Sequence, residues 1–462
     1  LIIIICCFAA MACSQTETEK VEGQKSNPFT GAKGEVTLMT IDPGHFHASL
    51  VQKEKYSQID SVAYIYAPIG SGGVQRHLNR IELYNNRDEN PTNWVEKLYE
   101  GPDFFEQMLD KQPGNVVVLA GNNARKTEYI KKSVDAGLNV LSDKPMVIKP
   151  ENYPMLKQAL QKSENTDVLL YDIMTERFEI TTLLQRKLSQ NSEVFGTIVK
   201  GTPENPAITK ESVHHFFKYV SGQPLTRPAW FFDVDQQGEA IVDVSTHLVD
   251  LILWETFPGE PIDTLETEVV EAKRWATTMT PSQFKKVTGL DDYPDYLNED
   301  LDAENNLNVF ANGSFVFTVR GIHGKVSAAW DYQAPEGAGD THYSIMRGTK
   351  ANLVIRQGEE QEYTPRLYVE PVGGQGEDDF EKKLRKAVQN ISAEYTGLSL
   401  KETSMGWQVV IPEEHRIGHE AHFAQVMQQY LKYLVDGEIP EWEQKNMLAK
   451  YFLTMQAYEK SR

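Results

Sequence analysis

Residues 35–50 read EVTLMTIDPGHFHASL, and this stretch decides the first part of the fold. The apolar, partly β-branched run EVTLMTI predicts a strand, DPGHFHA predicts a turn, and the residues after it can continue as a helix. The alternation goes on, because SVAYIYA, NVVVLAG and LNVLSDKP predict strands, whereas residues 102–110 and the segment TEYIKKSVDAG predict helices. Strands that alternate with helices indicate a parallel sheet covered on both faces, the doubly wound architecture, which we place at residues 35–165.

The charge and the cysteine positions exclude several classes of function. The 462 residues include 46 Lys and Arg against 66 Asp and Glu, which gives a net charge of −20. An acidic surface repels phosphate backbones, so we expect no nucleic-acid partner. All three cysteines, Cys6, Cys7 and Cys13, lie in the first 13 residues. The sequence after them therefore offers no disulfide framework, cysteine nucleophile or thiolate metal site.

The first residues carry the pattern of an export signal. Residues 1–12 are apolar and uncharged, but a bilayer span takes about 20 residues. Ala10 and Ala12 precede Cys13 and a polar stretch follows, which resembles a bacterial lipoprotein signal at 1–13 with Cys13 as the lipidated residue; an ordinary cleaved signal is the alternative. Residues 14–34 predict a flexible tether. We therefore expect an exported chain, lipid-anchored in a bacterial envelope and touching the membrane only through that anchor.

Ligands of a doubly wound sheet bind at the carboxyl ends of its strands, which here are DPGHFH, GNNARK and SDKP. A dinucleotide-binding sheet normally carries G-x-G-x-x-G after its first strand, and these glycines let the backbone approach a pyrophosphate. Only the central glycine, Gly44, is present here, with Asp42 and His47 at the outer positions, so a plain β–α turn is the alternative. The second strand ends in Ala67-Pro68 rather than in the acidic residue that binds a ribose, which leaves NAD or NADP open.

Two later segments resemble one known family. Residues 134–146, VDAGLNVLSDKPM, are similar to the A-x-E-A-G-K-H-V-x-x-E-K-P segment of the glucose-fructose oxidoreductase, inositol dehydrogenase and rhizopine-catabolism (Gfo/Idh/MocA) family. Residues 238–254, GEAIVDVSTHLVDLILW, resemble its G-G-G-x-x-x-D-x-G-x-H-x-x-D segment. The resemblance implies an N-terminal Rossmann-like domain and, at residues 166–462, an α+β domain with a large, open-faced, mostly antiparallel sheet.

The second part of the sequence agrees with this architecture. Residues 194–203, 306–319 and 325–333 contain alternating or β-branched runs, and THYSIMRGTKANLVIRQG predicts two strands joined around Gly348. Two helices close the sequence, and the apolar stripe of the first predicts core packing across both domains. In the family, the open sheet serves as a substrate wall and an oligomer surface, which implies a homodimer or homotetramer.

Asp243, His247 and Asp250 are spaced i, i+4, i+7, which predicts one face of a helix. A histidine between two carboxylates would have its charged form favoured, which suits acid or base catalysis near neutral pH. The alternative is a solvated helix face or a structural hydrogen-bond cluster. The family resemblance implies that Lys144 and His247 flank the reacting carbon with Asp243 beside them. Lys144 would then polarise the substrate oxygen, and His247 would transfer its proton.

The resemblance also implies where a nicotinamide cofactor, NAD or NADP with NAD as the first choice, is bound. Asn122 and Asn123 match positions near the nicotinamide ribose, although a helix N-cap is the alternative, and Asp143 replaces the usual Glu. The expected cofactor contacts are Asp42, Gly44, His45, Phe46, His47, Asn122, Asn123, Asp143, Lys144 and Pro145.

Candidate substrate contacts come from two places. Glu176 and Arg177 match a turn that faces the cleft in the family, although Glu176 stands at an amide position. His214, His215 and Trp230 precede the second motif, and such side chains stack on sugars or bind their hydroxyls. Core packing is the alternative for this aromatic segment.

A histidine cluster late in the sequence is the remaining candidate for a metal site. His415, His419 and His422 are spaced i, i+4, i+7, but Gly418 predicts a helix start between them, which breaks the shared face. We therefore predict no metal site.

Three functions remain compatible with these patterns. The first is an NAD(P)-dependent oxidoreductase acting on a sugar, polyol or sugar derivative, which should retain its cofactor because free nicotinamide nucleotides are scarce outside the cytoplasm. The second is a redox-neutral NAD-dependent glycosidase on the same fold. The third is a non-catalytic lipoprotein that binds a sugar or a partner. The incomplete glycine motif favours this third function, whereas the presence of Lys144, Asp243 and His247 argues against it.

Overall fold

The computed structural model describes residues 29–220, 223–335, 338–373 and 378–462. The predicted signal at 1–13, with Cys13, lies outside these ranges, and so does the predicted tether up to residue 28. The helices are α1 His47–Leu50, α2 Gly72–Asn86, α3 Phe104–Lys111, α4 Lys126–Asp135, α5 Tyr153–Glu164, α6 Ile180–Ser189, α7 Val234–Gln237, α8 Val244–Thr256, α9 Pro281–Thr288, α10 Asp378–Ile391, α11 His419–Asp436 and α12 Glu441–Lys460. The strands are β1 Leu38–Ile41, β2 Val62–Ala67, β3 Val95–Glu100, β4 Val116–Leu119, β5 Asn139–Asp143, β6 Leu170–Ile173, β7 Ile208–Phe217, β8 Tyr219–Val220, β9 Gln223–Pro224, β10 Thr267–Met279, β11 Leu307–Val319, β12 Ile322–Gln333, β13 Thr341–Arg347, β14 Ala351–Arg356, β15 Arg366–Pro371, β16 Ser399–Thr403 and β17 Gly406–Val410.

The first sheet confirms the doubly wound, Rossmann-like prediction. Its six strands are all parallel and follow the order β3-β2-β1-β4-β5-β6. Every residue of β1, β4 and β5 is buried, as expected where helices cover both faces. Because β6 pairs with β5, this sheet extends beyond the predicted boundary at residue 165. The order reverses between β1 and β4, and the loops after these strands meet there.

The second sheet confirms the large, mostly antiparallel prediction. Within the described residues it has nine strands in the order β10-β11-β12-β7-β13-β14-β15-β17-β16, and only the β12–β7 pair is parallel. The strand predicted at 194–203 is wrong, since those residues form only isolated bridges. Gly196 and Gly201 there adopt φ of 78° and 67°, which a regular strand does not allow.

The two closing helices contribute to the hydrophobic core, as predicted. On α11 the apolar stripe is fully buried, and Tyr430 stacks on Tyr171 with ring centroids 6.2 Å apart. Helix α12 packs against α8, α5 and β10, so both domains share one hydrophobic core. Within the described residues, no helix is both long and apolar enough to span a membrane.

The folded part begins earlier than the sequence predicts. Phe29 is buried in the shared core, and the carboxylate of Glu35 accepts hydrogen bonds from the N–H groups of Thr30 and Ala32. The predicted tether is therefore wrong for residues 29–34. A single buried aromatic side chain in a polar stretch is too weak a pattern to reveal this contact from the sequence.

A buried ion-pair cluster joins the two domains. The ammonium of Lys450, which is inaccessible to solvent, lies 2.7 Å from a carboxylate oxygen of Asp172 and 2.7 Å from one of Asp250. Arg177 donates two hydrogen bonds of 2.6 Å to Asp250 and one of 2.8 Å to Glu443. The prediction that Arg177 contacts substrate is therefore corrected, because these acids occupy its buried guanidinium.

Candidate functional site

The centre of the site is an ion pair between the domains. Lys144 follows β5 directly, and its Nζ donates to Oδ1 of Asp243 at 2.6 Å, across 99 residues of sequence. Asp243 occupies the N-cap position of α8, and its other oxygen accepts a hydrogen bond from Gln237 Nε2 at 3.0 Å. Both charged side chains are largely buried, at 13% and 7% exposure. The structure thus brings two of the three predicted catalytic residues into direct contact.

Burial and charge set opposite protonation states on Lys144 and His247. Burial lowers the pKa of Lys144, but the carboxylates of Asp243 and Asp143 raise it by more, so the side chain stays cationic. Burial, reinforced by Lys144, lowers the pKa of His247 well below its usual value. The expectation that two carboxylates favour charged His247 is therefore wrong, and Asp250 is instead used by the ion-pair cluster. His247 Nδ1 is buried and has no hydrogen-bond partner among the described residues.

Glu176 adds a second titrating group near Lys144. It lies in the one-turn helix that follows β6. Burial and the neighbouring Glu179 raise the pKa of Glu176 to about 7, although the charge of Lys144 lowers it. A carboxyl group with this pKa exchanges protons readily at neutral pH. It was placed in this region from the sequence, but its burial could not be predicted there.

Glycines let the loops after β1 and β4 touch at the switch point, where the strand order of the parallel sheet reverses. A Cβ on Gly121 would lie 2.3 Å from the carbonyl oxygen of Asp42 and 2.8 Å from the amide of Gly44. A Cβ on Gly44 would lie 3.1 Å from the ring of Trp230, so this ring covers the turn. Asp42 has φ of 39° and its carboxylate accepts a hydrogen bond from Ser71 Oγ at 2.9 Å. Close approach, rather than an extended glycine fingerprint, defines this turn.

We expect Gly121→Ala to lower the free energy of unfolding by about 1–3 kcal/mol, because the added methyl group overlaps the Asp42 carbonyl. Urea titration of both proteins measures the difference. Gly339→Ala is the matched control, since a Cβ there would have no atom within 4 Å. Equal stability of the Gly121 and Gly339 variants would contradict the close packing described for this turn.

Asn122 and Asn123 tie the β4 loop to the second domain. Asn122 Nδ2 donates to Gln236 Oε1 at 2.6 Å, and Asn123 Nδ2 donates to the carbonyl of Gln237 at 2.7 Å. Asn122 Oδ1 accepts from the N–H of Ala124, and Arg125 rather than either asparagine precedes α4 as its N-cap residue. Asn123 Oδ1 is buried and has no partner in the part of the chain that the structure describes. Gln236 and Gln237 belong to no motif, so their part in the site could not be predicted from the sequence.

His45, His47 and Asp143 contact one another beside Lys144. His47 Nδ1 lies 2.9 Å from Asp143 Oδ2, and His45 Nδ1 lies 3.7 Å from the same oxygen. Burial raises the pKa of Asp143, but its contact with His47 and the charge of Lys126 lower it by more, so the carboxylate stays charged. The two histidine rings contact each other with centroids 4.1 Å apart, and the ring of Phe46 lies 4.6 Å from His45 and 4.5 Å from His47. The Lys144–Pro145 peptide bond, which is cis, follows Asp143.

His214 and His215 lie on β7 and share one acidic partner. Their Nδ1 atoms are 3.3 and 3.2 Å from the two carboxylate oxygens of Asp340, which Lys218 also contacts at 2.5 Å. His214 stacks on Trp330 with centroids 4.9 Å apart. Trp230 packs against the cluster that contains Trp330, and its ring also lies against Gly44. The phenylalanines of the same segment are buried in a second core cluster, so the packing alternative holds for Phe216, Phe217, Phe231 and Phe232.

The chain is similar to a known protein family and to solved structures. Residues 184–462 match the profile of the family described as "Putative oxidoreductase C terminal domain". A "putative oxidoreductase" from Parabacteroides merdae is 52% identical, with a TM-score of 0.92, and the alignment covers 94% of this chain and 99% of that one. No match was found among curated proteins.

More distant structures share the fold. Levoglucosan dehydrogenase, solved with NADH and levoglucosan, is 13% identical with a TM-score of 0.52, over 92% of this chain and 98% of that one. GenD2 from gentamicin A biosynthesis, solved with NAD, is 14% identical with a TM-score of 0.53, over 95% and 96% of the two chains. At this level of identity the likeness concerns the arrangement of strands and helices.

Proposed function

Since the chain belongs to this oxidoreductase family, we propose that it is a nicotinamide-dependent oxidoreductase of the Gfo/Idh/MocA type acting on a sugar, a polyol or a sugar derivative. The observation that carries the proposal is the Lys144–Asp243 ion pair, formed at the carboxyl edge of the parallel sheet beside a neutral His247. When a carbon that bears a hydroxyl or carbonyl oxygen is oxidised or reduced by hydride transfer, a cation near that oxygen and a group that moves one proton assist the reaction. Lys144 and His247 divide these tasks.

The residues at the switch point fit a dinucleotide in several respects. Gly44 and Gly121 keep side chains away from the turn, and Asn123 Oδ1 is a buried acceptor that lacks a partner among the described residues. Gly44 and His45 donate their N–H groups within the loops, so a pyrophosphate would need other donors. Because of the open turn and the buried acceptor oxygen of Asn123, we assign Gly44, Asn122, Asn123 and the Lys144-Pro145 step to binding of the cofactor. The bound cofactor would supply the hydride acceptor.

The side chains can then act on a substrate hydroxyl as follows. Lys144, held in place by Asp243, donates a hydrogen bond to the substrate oxygen and stabilises negative charge there. His247 is neutral because burial lowers its pKa, so it can accept the hydroxyl proton during oxidation. In the reverse direction it returns that proton. Asp243 acts as a positioning residue because Lys144 and Gln237 occupy its two oxygens.

The two distant neighbours support the cofactor and substrate classes. One binds NADH with the sugar derivative levoglucosan and the other binds NAD, and both share this fold. We take NAD as the first choice for this chain. Because we expect an exported protein, we also propose that the cofactor is retained through each catalytic cycle.

The test is to purify the protein, measure bound nicotinamide, and follow the NADH absorbance band while candidate sugars are added. We expect bound or bindable nicotinamide that changes redox state with one sugar class. A protein that neither contains nor binds nicotinamide would refute the enzyme and leave the sugar-binding or partner-binding lipoprotein. Substrate turnover with no net oxidised product would favour the redox-neutral glycosidase. Glu176 supports the glycosidase as a second candidate function. Elimination of the glycosidic group needs a further proton donor, and Glu176 lies near Lys144 with a pKa of about 7.

A further inference from the structure

The histidine and carboxylate group beside Lys144 has the composition of a metal site. Among the described residues, His45, His47 and Asp143 form the group whose possible ligand atoms all lie within 4.8 Å of one another. The two histidines flank Phe46 in the turn after β1, and Asp143 ends β5. From these contacts we propose that His45, His47 and Asp143 bind one divalent transition-metal ion of the zinc and iron class.

The distances fit the proposed ion. In a tetrahedral zinc site with metal–ligand bonds of about 2.0–2.1 Å, ligand atoms lie about 3.4 Å from one another. Asp143 Oδ2 is 2.9 Å from His47 Nδ1 and 3.7 Å from His45 Nδ1, so these two separations need changes of about 0.5 and about 0.3 Å. Two imidazoles and one carboxylate are a ligand set used by zinc hydrolases and non-haem iron enzymes.

The surroundings allow the ion to enter the site. They also keep one of its coordination positions open. Asp143 and His47 are anchored, with side-chain exposures of 7% and 10%, whereas His45 is 26% exposed and can move to close the site. The N–H of His47 donates to His45 Nδ1 at 3.3 Å, so this nitrogen acts as an acceptor and gives up this hydrogen bond when it binds the ion. Three protein ligands leave room for water or a substrate oxygen.

Two cations oppose the proposed ion and limit its affinity. Lys126 Nζ donates to the backbone carbonyl of Asp143 at 3.1 Å, and Lys144 follows Asp143 in sequence but pairs with Asp243. The carboxylate of Asp143 is the one anionic ligand of the proposed set. We therefore expect an exchangeable ion that chelators remove, rather than a permanently buried structural ion.

The test uses the whole purified protein without added nicotinamide, so its outcome does not depend on the proposed oxidoreductase activity. After EDTA treatment, Zn²⁺ is titrated by calorimetry, and Co²⁺ is titrated by visible absorbance, which reports on ligand geometry. We expect one ion per chain, and an affinity at least about tenfold lower in His45→Gln and Asp143→Asn. His45→Gln is the safer variant for folding, because this side chain is partly exposed.

His214→Gln is the matched control, since His214 is also partly exposed and lies beside a carboxylate, at Asp340. It should bind Zn²⁺ as the unmodified protein does. Thermal unfolding gives a second measurement, because at one Zn²⁺ concentration the ion should raise Tm of the unmodified protein and of His214→Gln by more than that of His45→Gln. Absence of Zn²⁺ and Co²⁺ binding, or equal affinity in His45→Gln and the unmodified protein, would overturn the proposed site.

Discussion

Lys144→Ala is expected to lower kcat by about 10²- to 10⁴-fold, because it removes the cation that stabilises charge on the substrate oxygen. Lys144 is the residue that enters the cleft from β5 and contacts Asp243, whereas the nearby Lys126 donates to the backbone carbonyl of Asp143. Steady-state kinetics with the sugar found in the redox test give kcat and KM separately. The fall should appear mainly in kcat, since the cation acts most strongly in the transition state.

Lys149→Ala provides the control for this measurement. Lys149 lies five positions further along and forms an ion pair with Asp235 at 2.9 Å, and its side chain is 30% exposed. Its loss should leave kcat close to that of the unmodified protein. Circular dichroism would establish that both variants are folded. Full activity of folded Lys144→Ala would refute the assignment of this residue to the reaction.

Lys450→Met is expected to lower the free energy of unfolding by about 3–5 kcal/mol, because it removes the ammonium shared by two buried carboxylates. Asp250 keeps its ion pair with Arg177, but Asp172 then retains a hydrogen bond from the neutral hydroxyl of Tyr451 in place of a cation. Asp172 and Asp250 are at most 2% exposed, and each lies 2.7 Å from the Lys450 ammonium. Methionine keeps the length of the side chain and removes the charge, so a packing defect contributes little. Urea-induced unfolding, followed by fluorescence, measures the change.

Lys445→Met on the same helix is the matched control. Lys445 pairs with Glu164 at 3.0 Å at the surface, with 37% exposure, and exposed pairs contribute about 0–1 kcal/mol. A loss of stability in Lys450→Met no larger than in Lys445→Met would show that the buried cluster does not hold the domains together.

The fold could be predicted from the sequence where periodicity is strong. Buried strands of the first sheet and the strand pair around Gly348 appear as apolar or alternating runs, and both are present. Strand β3 was missed because its sequence, VEKLYE, is polar and lies at the sheet edge. The segment at 194–203 has the β-branched composition of a strand. Whether such a segment pairs with a neighbouring strand depends on the tertiary structure, which the sequence pattern does not show.

The candidate site could be predicted in part. Lys144 and Asp243 were found through motifs, and the structure places them in contact. Protonation states were not predictable, because the pKa of His247 depends on burial rather than on the carboxylates near it in sequence. The contact between His47 and Asp143 spans 96 positions, so the possible metal ligands could not be recognised as one group.

The ion-pair cluster between the domains has a consequence for synthesis on the ribosome. Asp172 lies on β6, the last strand of the parallel sheet. Its partners Lys450 and Tyr451 lie on α12, and Tyr451 is 279 positions later in the chain. Until α12 emerges, the nascent Rossmann-like domain exposes a carboxylate and an apolar surface that are destined for burial. A folding intermediate of this kind needs protection from aggregation. The first domain to be synthesised is therefore among the last parts of the molecule to reach its final stability.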